Sequence, residues 1–339
     1  MKILAIESSC DETSIAIIEH SEIKSNTISS QYFHTKYGGV IPELASRAHL
    51  RTITEVYHQA LNDANTNIKE IDAIAVTNQP GLLGSLVVGI NFAKGLSLAH
   101  NLPIVPINHI EGHIYSGYLQ DPNSGFPAIA LVVSGGHTAL FYVESYTKHE
   151  IIGLTRDDAA GEAFDKISKL MNLGYPGGPI IDRLAKEGNP NYVDFPRSMI
   201  NSNDFDFSFS GLKTSFRYLI QKNYPDGLSE QNKRDLAASV QSSIVDVLVA
   251  KTVKAAKQYN VEYVIVAGGV SANSQLKSQM TNEMGKMGKR VVFPSIKLSM
   301  DNAAMIGFLA EKKILEQGID NFYDLTFVAN ANSLRARYR

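Results

Sequence analysis

Cysteine is nearly missing from this sequence and tryptophan is absent. A lone Cys10 can make neither an intrachain disulfide nor a cysteine-only metal site, which fits a reducing compartment. Charge of one sign is also lacking: 32 Lys and Arg stand against 34 Asp and Glu, a net charge of −2. The chain as a whole does not advertise nucleic-acid binding, so any polyanion has to be met by a local patch. Long hydrophobic runs are missing too. Segments such as Ala128 to Val133 cover about a third of a membrane span, so no membrane association is expected. The opening residues MKILAIESS turn strand-like at once, so no signal or transit peptide is expected and the cytoplasm is the default compartment. What remains is 339 residues, 44% hydrophobic and 19% charged, a globular composition long enough for about two lobes.

The chain repeats itself. Ile3 to Ser9 followed by Thr13 to Glu19 reads as strand, polar turn, strand, and Ile129 to Gly135 followed by Thr138 to Glu144 does the same, 126 residues on. Ile71 to Thr77 entering Pro80-Gly81, and Val261 to Ala267 entering Gly268-Gly269, are both buried strands that run into a glycine turn and a helix, 190 residues apart. The second copy therefore carries about 64 extra residues, expected as a helical insert within about 145–240. The resulting expectation is an α/β protein of two duplicated lobes with an inter-lobe cleft, the first at 1–126 and the second at 127–301. A C-terminal helix, about 302–339 and amphipathic from Asn302 to Gln317, is a candidate to pack back on the first lobe. Such a cleft suits a nucleotide whose phosphates meet backbone-rich turns.

Three segments carry chemistry. In Asn108-His109-Ile110-Glu111-Gly112-His113, Asn108 can cap a helix that sets His109 and His113 four residues apart on one face, within reach of one metal ion. In the zinc-peptidase order a glutamate directly follows the first histidine; here that position is Ile110, so this motif supplies no peptidase base. Asp301, ahead of the last helix, is the candidate third ligand, and two histidines with one carboxylate suit Fe(II) or Zn(II). The second segment, Val132-Val133-Ser134-Gly135-Gly136-His137-Thr138, exposes amides that can surround a phosphate. Its duplicate carries Cys10, Asp11 and Glu12 instead: two acids that need a cation or a role as base, beside a cysteine read as packed rather than nucleophilic. The third, Ala267-Gly268-Gly269-Val270-Ser271-Ala272-Asn273, allows close backbone approach by an adenosine, with Asn273 as a hydrogen-bonding partner.

Taken in order, IESSCDETS, HIEGHIYS, LVVSGGHT, GEAFDKISKLMNLGYPGGPIID, FSFSGLKTS, AGGVSAN and SMDNAAMIG closely resemble the tRNA N6-adenosine threonylcarbamoyltransferase family (TsaD, formerly called glycoprotease or O-sialoglycoprotein endopeptidase) over essentially the whole chain. The resemblance implies the actin/sugar-kinase/Hsp70-like ATPase fold. It also implies one divalent ion, iron first and zinc second, on His109, His113 and Asp301. Its substrate-binding set maps onto Val132, Val133, Ser134, Gly135, Gly136, Asp165, Gly178, Asp182 and Asn273. The implied reaction moves a threonylcarbamoyl group from threonylcarbamoyl-AMP to N6 of the adenosine 3′ of the anticodon (position 37), in tRNAs reading codons that begin with A, and releases AMP. Asp11 or Glu12 is expected to take the amine proton. Implied partners are tRNA, an adenine nucleotide, a paralogous subunit (TsaB) and a small ATPase (TsaE). Competing readings are a small-molecule kinase, a metallopeptidase or a non-catalytic nucleotide-dependent scaffold. For the RNA, the expected patch is the tail with Arg335, Arg337 and Arg339.

Overall fold

The computed structural model of the chain describes residues 1–31, 34 and 39–332; the tail arginines Arg335, Arg337 and Arg339 lie outside the described residues. The chain divides into two units, Met1–Pro122 with Met300–Arg339, and Asn123–Ser299.

The first unit is built on strands β1 (Lys2–Glu7), β2 (Glu12–Glu19), β3 (Glu22–Ser30), β4 (Ala73–Gln79) and β5 (Ile104–Asn108), in the order β3-β2-β1-β4-β5. β3, β2 and β1 are antiparallel, while β4 and β5 run parallel to β1. β1 and β2 are buried on both faces, which is why they read as unbroken apolar runs. Alternation then sorts their side chains. Leu4, Ile6, Ile15 and Ile17 pack with residues of α1 (Pro42–Asp63) and α2 (Leu83–His100), whereas Ala5 and Ile18 meet Gly307 of α10 (Ala303–Gln317) on the other face. α3 (His109–Gln120) packs on that same α10.

The second unit repeats this order as β8-β7-β6-β9-β10, from β6 (Ala128–Val133), β7 (Thr138–Val143), β8 (His149–Leu154), β9 (Tyr263–Ala267) and β10 (Arg290–Val292). Strand directions repeat as well. The fold class read from the duplicated sequence is therefore the observed one. Between β8 and β9 lie α4 (Ala160–Leu170), α5 (Gly177–Ala185), α6 (Ser210–Asn223) and α7 (Glu230–Gln258); α8 (Ser274–Lys286) and the short α9 (Ile296–Ser299) follow β9 and β10. By length and hydropathy α7 would pass for a membrane span. Instead Val240, Ile244, Val247 and Leu248 are buried in the core of this unit, the stripe expected of a core-facing helix.

The last helix keeps to the amphipathic stretch that ends at Gln317 and does not run on toward Asn332, because Gly318 adopts φ +87° and ends it. Beyond a single 3-10 turn at Ile319–Phe322, the described residues up to Asn332 hold no regular structure, with Leu325, Phe327 and Ala329 against the first core. Asp301, assigned by the expected boundary to the second lobe, belongs to the first unit. The amide of Ala303 donates to Ser14 Oγ at 2.9 Å, tying this segment to β2.

The turns after β4 and β9 do the same work in both units. A Cβ on Gly81 would lie 2.6 Å from the Ser9 carbonyl oxygen, and one on Gly268 2.5 Å from that of Val133. Each glycine lets its turn lie on the end of the neighbouring strand. At Gly268 the backbone is also left-handed, φ +90°, a conformation that costs a side-chain-bearing residue about 1–3 kcal/mol. Gly268→Ala is accordingly expected to lower Tm by several degrees in a thermal melt; an unchanged Tm would mean that the turn relaxes at no cost.

Candidate active site

Three donors converge in the first unit. Asn108 ends β5 and caps α3, its Oδ1 accepting from the amides of Ile110 and Glu111 at 2.8 and 3.3 Å. That fixed start puts His109 and His113 on one face, their rings edge to face at 4.7 Å. Between them sits Gly112, where a Cβ would lie 2.9 Å from Ile306 Cδ1 of α10. Its lack of a side chain lets α3 lie close on α10, just after Asp301. His113 Nε2 is 3.1 Å and His109 Nε2 3.4 Å from Asp301 Oδ1.

The ligand atoms of His109, His113 and Asp301 all lie within 4.8 Å of one another. Ligands about 2.0–2.1 Å from a tetrahedral ion stand about 3.4 Å apart, so two imidazole nitrogens and a carboxylate oxygen fit one divalent ion. Electrostatics agree. Burial alone would lower the His109 pKa, yet the carboxylates of Asp301 and Glu7 raise it well above the ordinary value. Burial would likewise raise Asp301, but His109 and His113 hold it well below the carboxylate range. The site favours positive charge. For His113, burial and the neighbouring His109 charge lower the pKa, the state a ligand needs.

Sequence reasoning missed the residue behind His109. Glu7 is fully buried at the end of β1. Its carboxylate accepts from the Ser9 amide at 2.6 Å, from the Thr77 hydroxyl, and from His109 Nδ1 at 3.1 Å. Ser9 Oγ lies 3.1 Å from the same Nδ1. A proton held on Nδ1 leaves Nε2 free to coordinate, the carboxylate–histidine–metal arrangement. Burial would raise the Glu7 pKa; the charge and hydrogen bond of His109 hold it down. One signal was available. By the 126-residue repeat the counterpart of Glu7 is Val133, so an acid stands where the copy has an aliphatic side chain. Glu111 points elsewhere, to Lys313 at 2.8 Å.

Asp11 and Glu12 lie in and just after the turn between β1 and β2. α1 braces this turn through His49, whose Nε2 lies 2.9 Å from the Cys10 carbonyl and whose Nδ1 lies 2.7 Å from the Thr13 hydroxyl. Burial and the carboxylates of Asp301 and Asp11 push the Glu12 pKa up to about 9, so its carboxyl is neutral at pH 7. Burial and the same two acids push up the Cys10 thiol, which keeps it un-ionised and unreactive.

The remaining residues belong to the second unit. The turn after β6 closes through the Ser134 amide donating to the His137 carbonyl at 2.8 Å. Val132 and Val133 are buried in the strand, while Gly135 and Gly136 are exposed at the tip. A Cβ on either glycine would meet no protein atom within 4 Å. Packing does not demand glycine here, so the bare backbone is available to a ligand. α4 backs the turn: Gly161 N donates to Ser134 O at 3.2 Å and Ala160 N to Thr138 Oγ1 at 2.9 Å. A helix N-terminus thus lies directly behind the turn, where its dipole favours an anion.

Asp165, Asp182 and Asn273 hold helix ends. Asp165 Oδ1 accepts from Gly177 N at 2.7 Å, which sets the start of α5 with Gly178 open beside it. Asp182 Oδ1 accepts from Ser274 N and Oγ at 3.1 and 2.7 Å, at the head of α8. Asn273 caps α8 through Leu276 N and donates to Gln241 Oε1 at 2.6 Å. In this structure their polar atoms serve backbone order.

The repeated sheet order places this chain in the actin/sugar-kinase/Hsp70-like fold class. Solved structures agree on the fold: HypF from T. kodakarensis superposes with TM-score 0.64 at 13% identity, over 95% of this chain and 49% of that one. Component A of (R)-2-hydroxyglutaryl-CoA dehydratase from Acidaminococcus fermentans gives 0.57 at 13%, over 93% and 99%. Sequence identifies the family. A sequence profile described as TsaD, tRNA N6-adenosine threonylcarbamoyltransferase, matches residues 22–308. Proteins of that name are 47% identical in Thermosipho africanus, over 97% of this chain and 99% of the relative, and 48% identical in Chlorobium phaeobacteroides, over 96% and 97%. The chain belongs to the TsaD family of transferases.

Two predictions follow from the first unit. His109→Ala or His113→Ala should abolish stoichiometric metal in elemental analysis, and Glu7→Gln should weaken metal affinity about 10–100-fold in a competition titration. Full metal content in both alanine variants would remove these residues from the ligand set. In chelator-treated protein, the neutral Glu12 contributes stability that is complete below about pH 4.5 and lost as pH rises toward about 9. Glu12→Gln should therefore raise Tm relative to wild type more at pH 8 than at pH 5; equal shifts at both would contradict the raised pKa.

Proposed function

We propose that this chain transfers the threonylcarbamoyl group of threonylcarbamoyl-AMP to N6 of the adenosine 3′ of the anticodon, in tRNAs reading codons that begin with A. The observation that carries the reading is the His109, His113 and Asp301 trio in a member of a family named for this transfer. The bond that forms joins N6 to the carbamoyl carbon; the bond that breaks joins that carbon to the phosphate oxygen, and AMP leaves. An exocyclic amine is a weak nucleophile, so the carbonyl has to be activated. A divalent ion, Fe(II) with Zn(II) as the alternative, supplies Lewis acidity and orients substrate oxygens when bound.

The protein's own groups divide the remaining work. At the end of the strand that carries Val132 and Val133, beyond Ser134, Gly135 and Gly136 offer exposed backbone to the phosphate, with the α4 N-terminus adding its dipole. Gly178 and Asn273 border the adenylate, and Asp165 and Asp182 keep the helix ends that present them in place. Asp11 takes the proton lost by N6. Glu12 is neutral at pH 7 and donates to Asp11 rather than acting as the base. In this reading the chain works in the cytoplasm with a paralogous TsaB subunit and a TsaE ATPase. A small-molecule kinase on this fold would have no use for the histidine pair.

The test is to incubate the chain and its partners with threonylcarbamoyl-AMP and an unmodified tRNA transcript, then analyse the nucleosides by mass spectrometry. Threonylcarbamoyladenosine is the expected product, and its absence under metal-replete conditions would overturn the reading. Asp11→Asn should lower single-turnover transfer by about 100-fold or more while calorimetric binding of the adenylate is kept. Unchanged turnover would exclude Asp11 as the proton acceptor.

A further inference from the structure

A chain of net charge −2 that modifies tRNA needs cations that it has not spent on itself. Most of its exposed helices spend theirs. Arg47 pairs with Glu43 on α1, Lys166 with Glu162 on α4, Lys233 with Glu230 on α7 and Lys286 with Glu283 on α8, each one turn apart. Such pairs support the helix that carries them.

α6 differs. From Phe207 to Pro225 the sequence holds Lys213, Arg217 and Lys222 and not one acid, and no ion pair among the described residues engages any of the three. Its inner face is firmly seated: Leu212 and Phe216 are buried, and the Phe216 ring stacks on Phe195 at 5.6 Å. The outer face carries Arg217, Lys222 and Tyr218, the last 68% exposed, with half-buried Lys213 beside them. A cation as early as Lys213 opposes the helix dipole, so that charge is not there to stabilise the helix, whereas Lys222 in the last turn agrees with it.

The position of α6 adds a second argument. Asp157 fixes its start, accepting from the amides of Phe209 and Ser210 and from the hydroxyls of Ser208 and Ser210. Three residues on, Ala160 and Gly161 rest on the turn of Ser134 to His137. Three residues span at most about 11 Å, so the basic face begins close to that turn, within the same unit.

We infer that the outer face of α6, formed by Lys213, Arg217, Tyr218 and Lys222, is a docking surface for the phosphate backbone of the tRNA substrate. The inference rests on the function proposed above. Unpaired cations neutralise phosphates, and an exposed tyrosine offers a stacking face to a base.

The test measures binding of an unmodified tRNA transcript to the full-length chain across a salt series. One variant carries Lys213→Gln, Arg217→Gln and Lys222→Gln. A control of equal net charge carries Arg47→Gln, Lys233→Gln and Lys286→Gln. The α6 variant should lose tenfold or more in affinity near 0.1 M salt, and its log–log salt slope should flatten by about two to three, one contact for each lost cation. The control should stay near wild type. Tyr218→Ala should weaken binding about fivefold or more without changing the slope. Equal losses in variant and control would reduce the effect to net charge and overturn the inference. So would unchanged tRNA affinity in the α6 variant combined with loss of a protein partner. Nucleoside analysis of the wild-type reaction keeps the two claims apart: product formation with unaltered α6-variant binding overturns the surface alone, whereas no product overturns the function.

Discussion

A carboxylate sealed at the end of an apolar strand is the constraint on which the first unit turns. Left alone, a buried ion such as Glu7 would cost several kcal/mol. It is tolerated because the Ser9 amide, the Thr77 hydroxyl and His109 all donate to it. Those bonds have a directional consequence. With its Nδ1 committed to Glu7, His109 can present only Nε2, and that atom faces Asp301. Asp301 in turn has to arrive from the far end of the chain, and it does so because α10 lies against β1, β2 and α3. The discontinuity of the unit is thus part of how His109, His113 and Asp301 are brought together.

The second unit puts the same scaffold to different use. At the position of Glu7 it has Val133, its turn carries Gly135 and Gly136 where the first has Ser9 and Cys10, and His137 and Thr138 stand where the first has two acids. The result is a surface of exposed amides with a helix N-terminus behind it and no buried charge to satisfy. Asp165 and Asp182 are the acids nearest in role, and both are occupied by backbone donors at helix starts. A carboxylate held in this way offsets helix-end amides, so it contributes order without leaving a free negative charge beside the exposed glycine turn.

How much of this was legible in the sequence follows from the range over which each feature is determined. The hairpins and the strand-turn-helix units were visible because period-two burial and glycine turns are local and were written twice. His109 and His113 were visible because helical spacing places them on one face, and Asn108 because capping is a local property. Asp301 was reachable only as a nearby acid at a helix start. Glu7 was not found, because its role depends on a contact 102 residues away in sequence. Asp165 and Asp182 were found as part of a family pattern, yet their work as caps depends on packing among α4, α5 and α8 that spacing does not encode. The end of the last helix at Gln317 was legible too, because its amphipathic period stops there and a glycine follows.

Duplication explains why the two units could diverge in chemistry while keeping one topology. Strand register is set by alternation, and a slip by one residue would turn every core side chain of a strand outward. Exchanges at the strand end and in the turn beyond it are free of that penalty. Glu7 and Val133 occupy such an end, next to glycines, Gly81 and Gly268, that fit the following turn against it. Substitutions there alter charge and backbone exposure without disturbing the pairing that defines the sheet. Glu7 and the exposed glycine turn therefore lie where the fold constrains sequence least, at the carboxyl ends of β1 and β6, and the packed strands behind them hold their geometry.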